Sequence, residues 1–533
     1  GGGVRAQVAA RALGRALTGG TTVNVQTSNA GVGGQGTITV DGPITATGAG
    51  TLNLIANSDI TVGSAIASDG VNALNVGLYA GSNGTPATIA TAGLQSGSVL
   101  IGSTGSITTT GGKVIMVGGT DSIVQLNGSV TTGGGDVSLK AVGSSFISIF
   151  KALNAGTGNV KLELINSQGG ISQSGTGLIT AANLDLTNNN RATTLNLSNN
   201  ITSLSGSNGT LSLTNTGALA LGALTVRGGL TLNTGGTVSQ TGALTQTSGI
   251  VNVTATAGTV KLTNSANNVS GTVNLSAAAG GVAFVNNNAT GISEGNITAA
   301  TSINTTNAAS IANFTASEAA LTGVVLLQAL QGDIFNSGGN KIVADRAVLV
   351  AANRIGGATA TDATRGVRVE GAAGASAREV YVSAGATQMA SVFGPTAGPT
   401  FYNGLMNGAT ALPSPASVAY NGVTLNPLNL NPAPAPAVAP ALAPPVSAAA
   451  VTPVVAPAPS NSNDAVRQAQ NIAQNQAPRL SRLEPRLNPV VTQGTEQANT
   501  QFGNDRRNDT RVEPITIPSC APGAARPAAA EQC

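Results

Sequence analysis

A short apolar–polar–apolar triplet recurs at intervals near 22 residues, and this repeat constrains the fold more than any other feature of the chain. In an extended strand, such a triplet turns its two apolar side chains to one face and its polar side chain to the other. One triplet cannot bury its apolar face alone, but a stack of them can. Clear copies begin at Val137, Val160, Leu184, Leu211, Leu230, Val251 and Val273, with similar triplets at Leu52 and Leu74.

A period of about 22 residues accommodates a coil of short strands joined by turns, as in a solenoid. The segments between triplets are rich in turn formers, which supply left-handed backbone positions: TGGGD (132–136), NAGTG (154–158), TNNNR (187–191) and NTGG (233–236). Leucine-rich repeats share the period, but the chain shows no L-x-x-L-x-L register. The predicted fold is therefore all-β, a right-handed parallel β-helix followed by a proline-rich, mostly disordered C-terminal tail.

The alternation also predicts which side chains face inward. The outward positions include Lys140, Lys161, Glu163 and Asp185, which we expect to be exposed. The repeat is clear from Thr37 to Val285 and looser between 290 and 425, although residues 332–357 still have a strand–turn–strand pattern. The side chains predicted to be buried are Leu139, Leu162, Leu164, Leu186, Leu213, Leu232, Val253 and Leu275.

Composition supports short strands over a compact enzyme core. Charged residues make up 8% of the chain and aromatic residues 2%, whereas globular domains usually carry about 25% charged residues. Disorder throughout is not expected, because 41% of the residues are hydrophobic. There is no basic stripe with interleaved aromatic residues, so we expect no nucleic-acid partner.

Changes in composition divide the chain into five parts. Prolines interrupt the apolar stretch at 436–459, so we expect no membrane-spanning segment. The parts are an Ala/Arg-rich leading segment (1–20), the β-helix rod (21–425), a Pro/Ala-rich linker (426–460), a polar tail of low order (461–519) and a terminal loop (520–533).

Most catalytic chemistry lacks the residues it needs. The chain contains no histidine, which excludes Ser-His-Asp and Cys-His arrangements and histidine metal sites. The glycine-rich stretches at 33–36 and 133–136 lack the lysine of a phosphate-binding loop. We therefore predict no catalytic, cofactor-binding or metal-binding residues.

The enzyme alternative is a β-helical polysaccharide lyase or hydrolase, which would need two nearby carboxylates. The best pair is Glu163 and Asp185, which are outward and about one coil apart. Aligning the triplets places Lys140 beside Glu163 and Lys161 beside Asp185. The simpler interpretation is an outward charge ladder, and it is the one we favour.

The repeats resemble those of the filamentous haemagglutinin-like exoproteins that two-partner systems secrete. The similarity covers about residues 37–380 and is carried by GTLNLIANSDITVGSAI (50–66), GDVSLKA (135–141) and GTVNLSA (271–277). A proline-rich stretch followed by a terminal cysteine pair is similar to the high-molecular-weight adhesins of that group.

In those adhesins, a disulfide-closed terminal loop keeps the protein at its outer-membrane pore. The matching residues are Cys520 and Cys533, the only cysteines in the chain. Two thiolates fall short of a four-ligand zinc site, so metal binding is the weaker alternative. The N-P-N-G-type motif of the family's secretion domain is not found, which predicts that the sequence is the C-terminal part of a longer exoprotein.

The resemblance implies an adhesin-type rod that is extracellular or at the bacterial cell surface. Its partners would be an outer-membrane pore protein and a host glycan, the matrix or a neighbouring cell. The alternative is a structural spacer without its own ligand site.

Overall fold

The computed structural model describes residues 7–27, 36–82, 95–143, 145–165, 168–300, 322–356 and 365–371, and short pieces at 373, 379–383, 392–393, 418–420 and 423–425. These residues form a parallel β-solenoid of about 12 turns, so the predicted all-β parallel helix is confirmed. Its right-handed sense stays a prediction. The linker, the polar tail, Cys520 and Cys533 lie outside the described residues.

In the first part of the rod, each coil supplies three successive strands, one to each of three faces. Face 1 contains β1 (Thr21–Gln26), β4 (Gly50–Ile55), β7 (Leu74–Tyr79), β10 (Val114–Thr120), β13 (Val137–Val142) and β16 (Val160–Ile165). Face 2 contains β2 (Ile38–Val40), β5 (Ile60–Val62), β8 (Val99–Ile101), β11 (Ile123–Leu126), β14 (Phe146–Ile149) and β17 (Ile171–Gln173). Face 3 contains β3 (Ile44–Thr45), β6 (Ala65–Ala67), β9 (Ser106–Thr108), β12 (Val130–Thr131) and β15 (Leu153–Asn154).

The coils continue beyond β18 (Ile179–Asn215), a strand long enough to pair with β15, β16 and β17 and also with β19 and β20. The middle strands are β19 (Leu219–Val226), β20 (Leu230–Thr234), β21 (Val238–Gln240), β22 (Leu244–Gln246), β23 (Ile250–Ala255), β24 (Val260–Leu262), β25 (Asn268–Val269), β26 (Thr272–Ala277), β27 (Val282–Asn286) and β28 (Gly291–Thr298).

The stack extends into the part of the chain where the sequence repeat is loose. These strands are β29 (Val324–Ala329), β30 (Asp333–Asn336), β31 (Ile342–Val343), β32 (Arg346–Ala351), β33 (Val367–Glu370), β34 (Glu379–Ser383) and β35 (Val392–Phe393). All of them pair in parallel with strands of adjacent coils. By contrast, β36 (Val418–Tyr420) and β37 (Val423–Leu425) form an antiparallel pair.

The interior is a continuous column of aliphatic side chains, as the alternation predicts. All eight residues that the sequence assigns to the core are at most 2% exposed. One corner needs left-handed glycine: Gly133 and Gly156, in successive coils, have φ of +63° and +61°. The predicted turn formers TNNNR (187–191) are assigned to β18, but the chain passes from one face to the next there, because Thr187 pairs with Glu163 on face 1 and Thr193 pairs with Ile171 on face 2.

The triplets form two stacks, not one. Val137, Val160 and Leu184 pair in register in one stack, and Leu211 pairs with Leu230 in the other. Ser212 is the middle residue of the LSL triplet, and its hydroxyl donates to Asn196 Oδ1 at 2.7 Å. It therefore lies beside Asn196 and not beside Asp185. The unusually long interval from Leu184 to Leu211 marks this shift.

A short helix covers the first coil. Helix α1 (Ala10–Ala16) lies in the Ala/Arg-rich leading segment. Its Leu13 packs against the core, and Leu17, which follows it, is fully buried. A Cβ on Gly14 would collide with the Thr45 carbonyl, so only glycine allows the helix to approach β3 this closely. The helix therefore shields apolar side chains that the first coil would otherwise expose.

Buried asparagines complete the hydrogen bonding at several corners. In each, Oδ1 accepts the backbone N–H of an inward apolar residue in the preceding coil: Asn199 from Ile179, Asn215 from Ile201, Asn267 from Leu244 and Asn286 from Val269, all at 2.8–2.9 Å. Their Nδ2 atoms donate to backbone carbonyls, as Asn267 does to Leu262 and Val285. These amides thus satisfy backbone groups that the strand ladders leave unpaired.

Three strands of the later coils are apolar on both faces. In β27, β29 and β32, almost every residue is buried, including the outward Val285, Leu326 and Val348. Strands that are covered on both faces appear in sequence as continuous apolar runs, not as alternating ones. This explains why the triplet pattern weakens here although the stack continues.

Candidate functional site

The structure places the predicted charge ladder on the outer side of face 1. In register, Lys140 lies beside Glu163 and Lys161 lies beside Asp185. Lys161 is exposed, whereas Lys140, Glu163 and Asp185 are half-buried. The expectation that all four are exposed is therefore wrong for three of them. Coils stack only about 4.8 Å apart, so each side chain covers the stem of the next.

The ion pair that forms joins residues of one strand. The Lys161 ammonium lies 3.5 Å from the Glu163 carboxylate, two positions along β16. In register, Lys161 also lies beside Asp185 of the next coil. Glu163 and Asp185, the two carboxylates that the enzyme alternative would use, do not lie side by side. In register, Glu163 lies beside Thr187 of the next coil, two positions from Asp185. Lys161 therefore lies next to both carboxylates, which is the arrangement of an alternating charge ladder.

Glu163→Gln should change the free energy of unfolding by less than about 1 kcal/mol, because a solvent-accessible ion pair contributes little. The Glu163 side chain is 20% exposed and its partner Lys161 47% exposed. Urea unfolding of both proteins measures this difference. A substantially larger loss would mean that the ladder is needed for stacking of the coils.

The last coils hold a second group of charges, which sequence reasoning did not single out. Glu370 accepts hydrogen bonds from Lys341 at 2.8 Å and pairs with Arg368 at 2.6 Å. Burial alone would raise the pKa of Glu370, but the hydrogen bonds and charges of Lys341 and Arg368 outweigh it, so its pKa is lowered. Nearby, Arg354 pairs with Asp333 at 3.3 Å. Both carboxylates are engaged by cations, as expected of structural ion pairs.

Glu294 is the one carboxyl of the described residues that lies fully inside the rod. It sits on β28 between Val273 and Asn336 in register, and neither of its carboxyl oxygens has a hydrogen-bond partner. Burial raises the pKa of Glu294 well above its usual value. A carboxyl enclosed in the apolar column cannot reach a polymeric substrate, so we assign it no catalytic role.

The outer side of face 2 carries exposed apolar residues that the sequence analysis missed. Phe146 is 49% exposed and Phe150 38% exposed; they flank Ser148 on the same side of β14 and its continuation. Ile123, 40% exposed, pairs with Phe146 in the preceding coil. Exposed aromatic residues are unusual for a chain with eight phenylalanines in 533 residues. We call this surface, centred on β14, the phenylalanine face.

Polar side chains form a row across the middle of the phenylalanine face. Gln125, Ser148 and Ser172 are in register on β11, β14 and β17. The Phe146 ring packs on the next coil: a Cβ on Gly169 would lie only 2.9 Å from its Cδ1. A Cβ there would first collide with the Ser145 carbonyl, so Gly169 allows the two coils to approach closely as well as leaving room for the ring. The sequence signal was FISIF (146–150), which alternates phenylalanine with small or apolar residues.

Other kinds of site have no support among the residues that the structure describes. They include no group of three or more His, Cys, Asp or Glu side chains placed to hold a metal ion. Within the same residues, no helix has the length and apolar character needed to cross a membrane.

Comparison with known proteins finds one family of repeats. A family model described as "Repeats of unknown function (DUF5649)" matches residues 208–276. The matched segment runs from the end of β18 to β26 and includes the triplets at Leu211, Leu230, Val251 and Val273. No curated protein and no solved structure matched the chain.

Proposed function

We propose that the protein is an exported, adhesin-type rod that binds glycans or other components of a host or neighbouring cell surface. The observation that carries this is the phenylalanine face, where Phe146 and Phe150 are exposed on a rod poor in aromatic residues. Exposed apolar patches rimmed by polar groups are typical of interaction sites.

The architecture supports a role in binding at a distance. A stack of about 12 coils offers long lateral faces of Thr, Ser and Asn. The repeats resemble those of filamentous haemagglutinin-like exoproteins, and this resemblance supports the proposal of a location outside the cell, at the bacterial surface, with an outer-membrane pore as partner. We propose a binding role and not catalysis, because Lys161 lies beside both Glu163 and Asp185, the best candidates for a pair of catalytic carboxylates.

Binding of the full chain to an immobilised glycan panel and to epithelial cells tests this function. We expect saturable binding that excess soluble chain competes away. A spacer without a ligand site would bind neither, and that result would contradict the proposal. Release of reducing ends from a polysaccharide would instead support the enzyme alternative.

Cys520→Ser or Cys533→Ser should leave the thermal unfolding of the rod unaltered. The two cysteines would close a loop of about fourteen residues, which restricts the unfolded chain by roughly 3 kcal/mol, but only locally. In a full-length, exported version, either change should move the protein from the cell surface into the medium. Cell fractionation with immunoblotting measures this shift, with Ser519→Ala as the matched control; equal retention of all variants would show that the pair is not a tether.

A further inference from the structure

The phenylalanine face has the chemical groups of a carbohydrate-binding surface. The C–H groups on one side of a pyranose ring pack on the apolar face of an aromatic side chain, and the hydroxyl groups at its edge need hydrogen-bonding partners. Phe146 and Phe150 supply exposed aromatic surface, and Ile123 extends it into the preceding coil. Exposed aromatic side chains promote aggregation, so a cluster of them usually marks an interaction site.

The polar row lies where the hydroxyl groups of such a ligand would be. Ser148 stands between the two phenylalanines on the same strand, with Gln125 and Ser172 beside it in the adjacent coils. Gln125 donates to Asn127 at 3.0 Å, which leaves its amide oxygen to accept from a ligand. Amides and hydroxyls can both donate and accept, as sugar hydroxyls require.

The electrostatics of the face select an uncharged ligand. Strands β11, β14 and β17 contain no Asp, Glu, Lys or Arg. The nearest charges along the chain, Asp121 and Lys151, lie beyond the ends of β11 and β14 and have opposite signs. A polyanionic glycan would find no cationic row here to offset its desolvation.

The dimensions favour a chain over a single sugar. Phe150 lies four residue steps along extended backbone from Phe146, a distance of about 13 Å. That spacing exceeds one pyranose ring, so both phenylalanines can be used at once only by linked sugars.

From these observations we propose that the phenylalanine face binds a neutral, extended polysaccharide such as a β-1,4-linked glucan or an N-acetylglucosamine polymer. This inference rests on the proposed binding function and names its site and ligand class. Phe146 and Phe150 carry the stacking contacts, and Gln125, Ser148 and Ser172 bind the hydroxyl groups.

The test uses the full chain with cellohexaose, chitohexaose and, as the anionic counterpart, oligogalacturonate, in isothermal titration calorimetry. We expect binding of at least one neutral hexaose and weaker binding of oligogalacturonate. Phe146→Ser and Phe150→Ser should each lower the affinity about tenfold, which corresponds to about 1.4 kcal/mol. Ile250→Ser is the matched control, since Ile250 is 49% exposed like Phe146 but lies on β23, outside the face. Circular dichroism verifies that each variant folds.

The outcomes separate this inference from the proposed function. If the double variant, Phe146→Ser with Phe150→Ser, binds the hexaoses as tightly as the original chain, the phenylalanine face is not the binding site. If the chain binds cells or charged glycans but no neutral hexaose, the ligand class is wrong and the binding function stands. If it binds no surface at all, both fail. Loss of self-association in the double variant, without sugar binding, would make the face a contact between two copies and overturn the inference.

Discussion

Asn267→Leu should lower the free energy of unfolding by about 3 kcal/mol or more. The Asn267 side chain is fully buried, accepts the Leu244 N–H at 2.8 Å and donates to the carbonyls of Leu262 and Val285. Leucine has a similar size but leaves these backbone groups without partners, and each unsatisfied buried group costs about 1–3 kcal/mol. The urea midpoint of unfolding measures the loss.

The matched control for this substitution is Asn252→Leu. Asn252 lies on the outer side of β23, where its Oδ1 accepts a hydrogen bond from Asn274 at 2.8 Å. Water can replace that bond, so the change should stay within about 0.5 kcal/mol. Equal losses in the free energy of unfolding for both variants would contradict the prediction, because the hydrogen bonds of the buried Asn267 amide would then contribute no more than those of an exposed asparagine. Limited proteolysis should also detect new cleavage near Asn267 alone, because each coil contacts only its neighbours.

Glu294→Gln should stabilise the rod at pH 8 and have little effect at pH 4. Burial raises the pKa of Glu294 in the folded state above the ordinary 4.5. The folded chain therefore holds a proton that the unfolded chain releases, so stability falls as the pH rises from about the unfolded pKa through the folded one. Above the folded pKa an uncompensated charge is buried, which costs roughly 3 kcal/mol.

The surroundings of Glu294 offer no compensating charge. Strands β26, β27, β29 and β31, which pack against β28, contain no ionisable side chain, and Asp333 on β30 is paired with Arg354. The chain also has no histidine, so few other groups titrate between pH 5 and 8. Urea unfolding at pH 4, 6 and 8 compares Glu294→Gln with Glu163→Gln. A pH dependence that is the same in both variants would contradict the prediction.

The sequence by itself determined the coil and the direction of its side chains. Alternation is a local property with a period of two, so Leu139 and Leu162 could be assigned to the core without knowledge of their neighbours. The regular spacing from Val137 to Leu184 was enough to place Lys140 beside Glu163 and Lys161 beside Asp185. Where that spacing changed, at β18, the same reasoning did not predict that the later triplets pair in a second stack.

Only the tertiary structure decided which residues from different coils meet. Asn267 completes the backbone hydrogen bonds of Leu244, and its sequence context does not distinguish it from the outward asparagines. Glu294 lies inside the rod because it pairs in register with the inward Val273, and the register shift that follows it lets Ile297 lie inside as well. The phenylalanine face likewise exists because stacking brings Gln125, Ser148 and Ser172 into one row. Each of these arrangements depends on contacts across a whole coil, which a local pattern with a period of two does not encode.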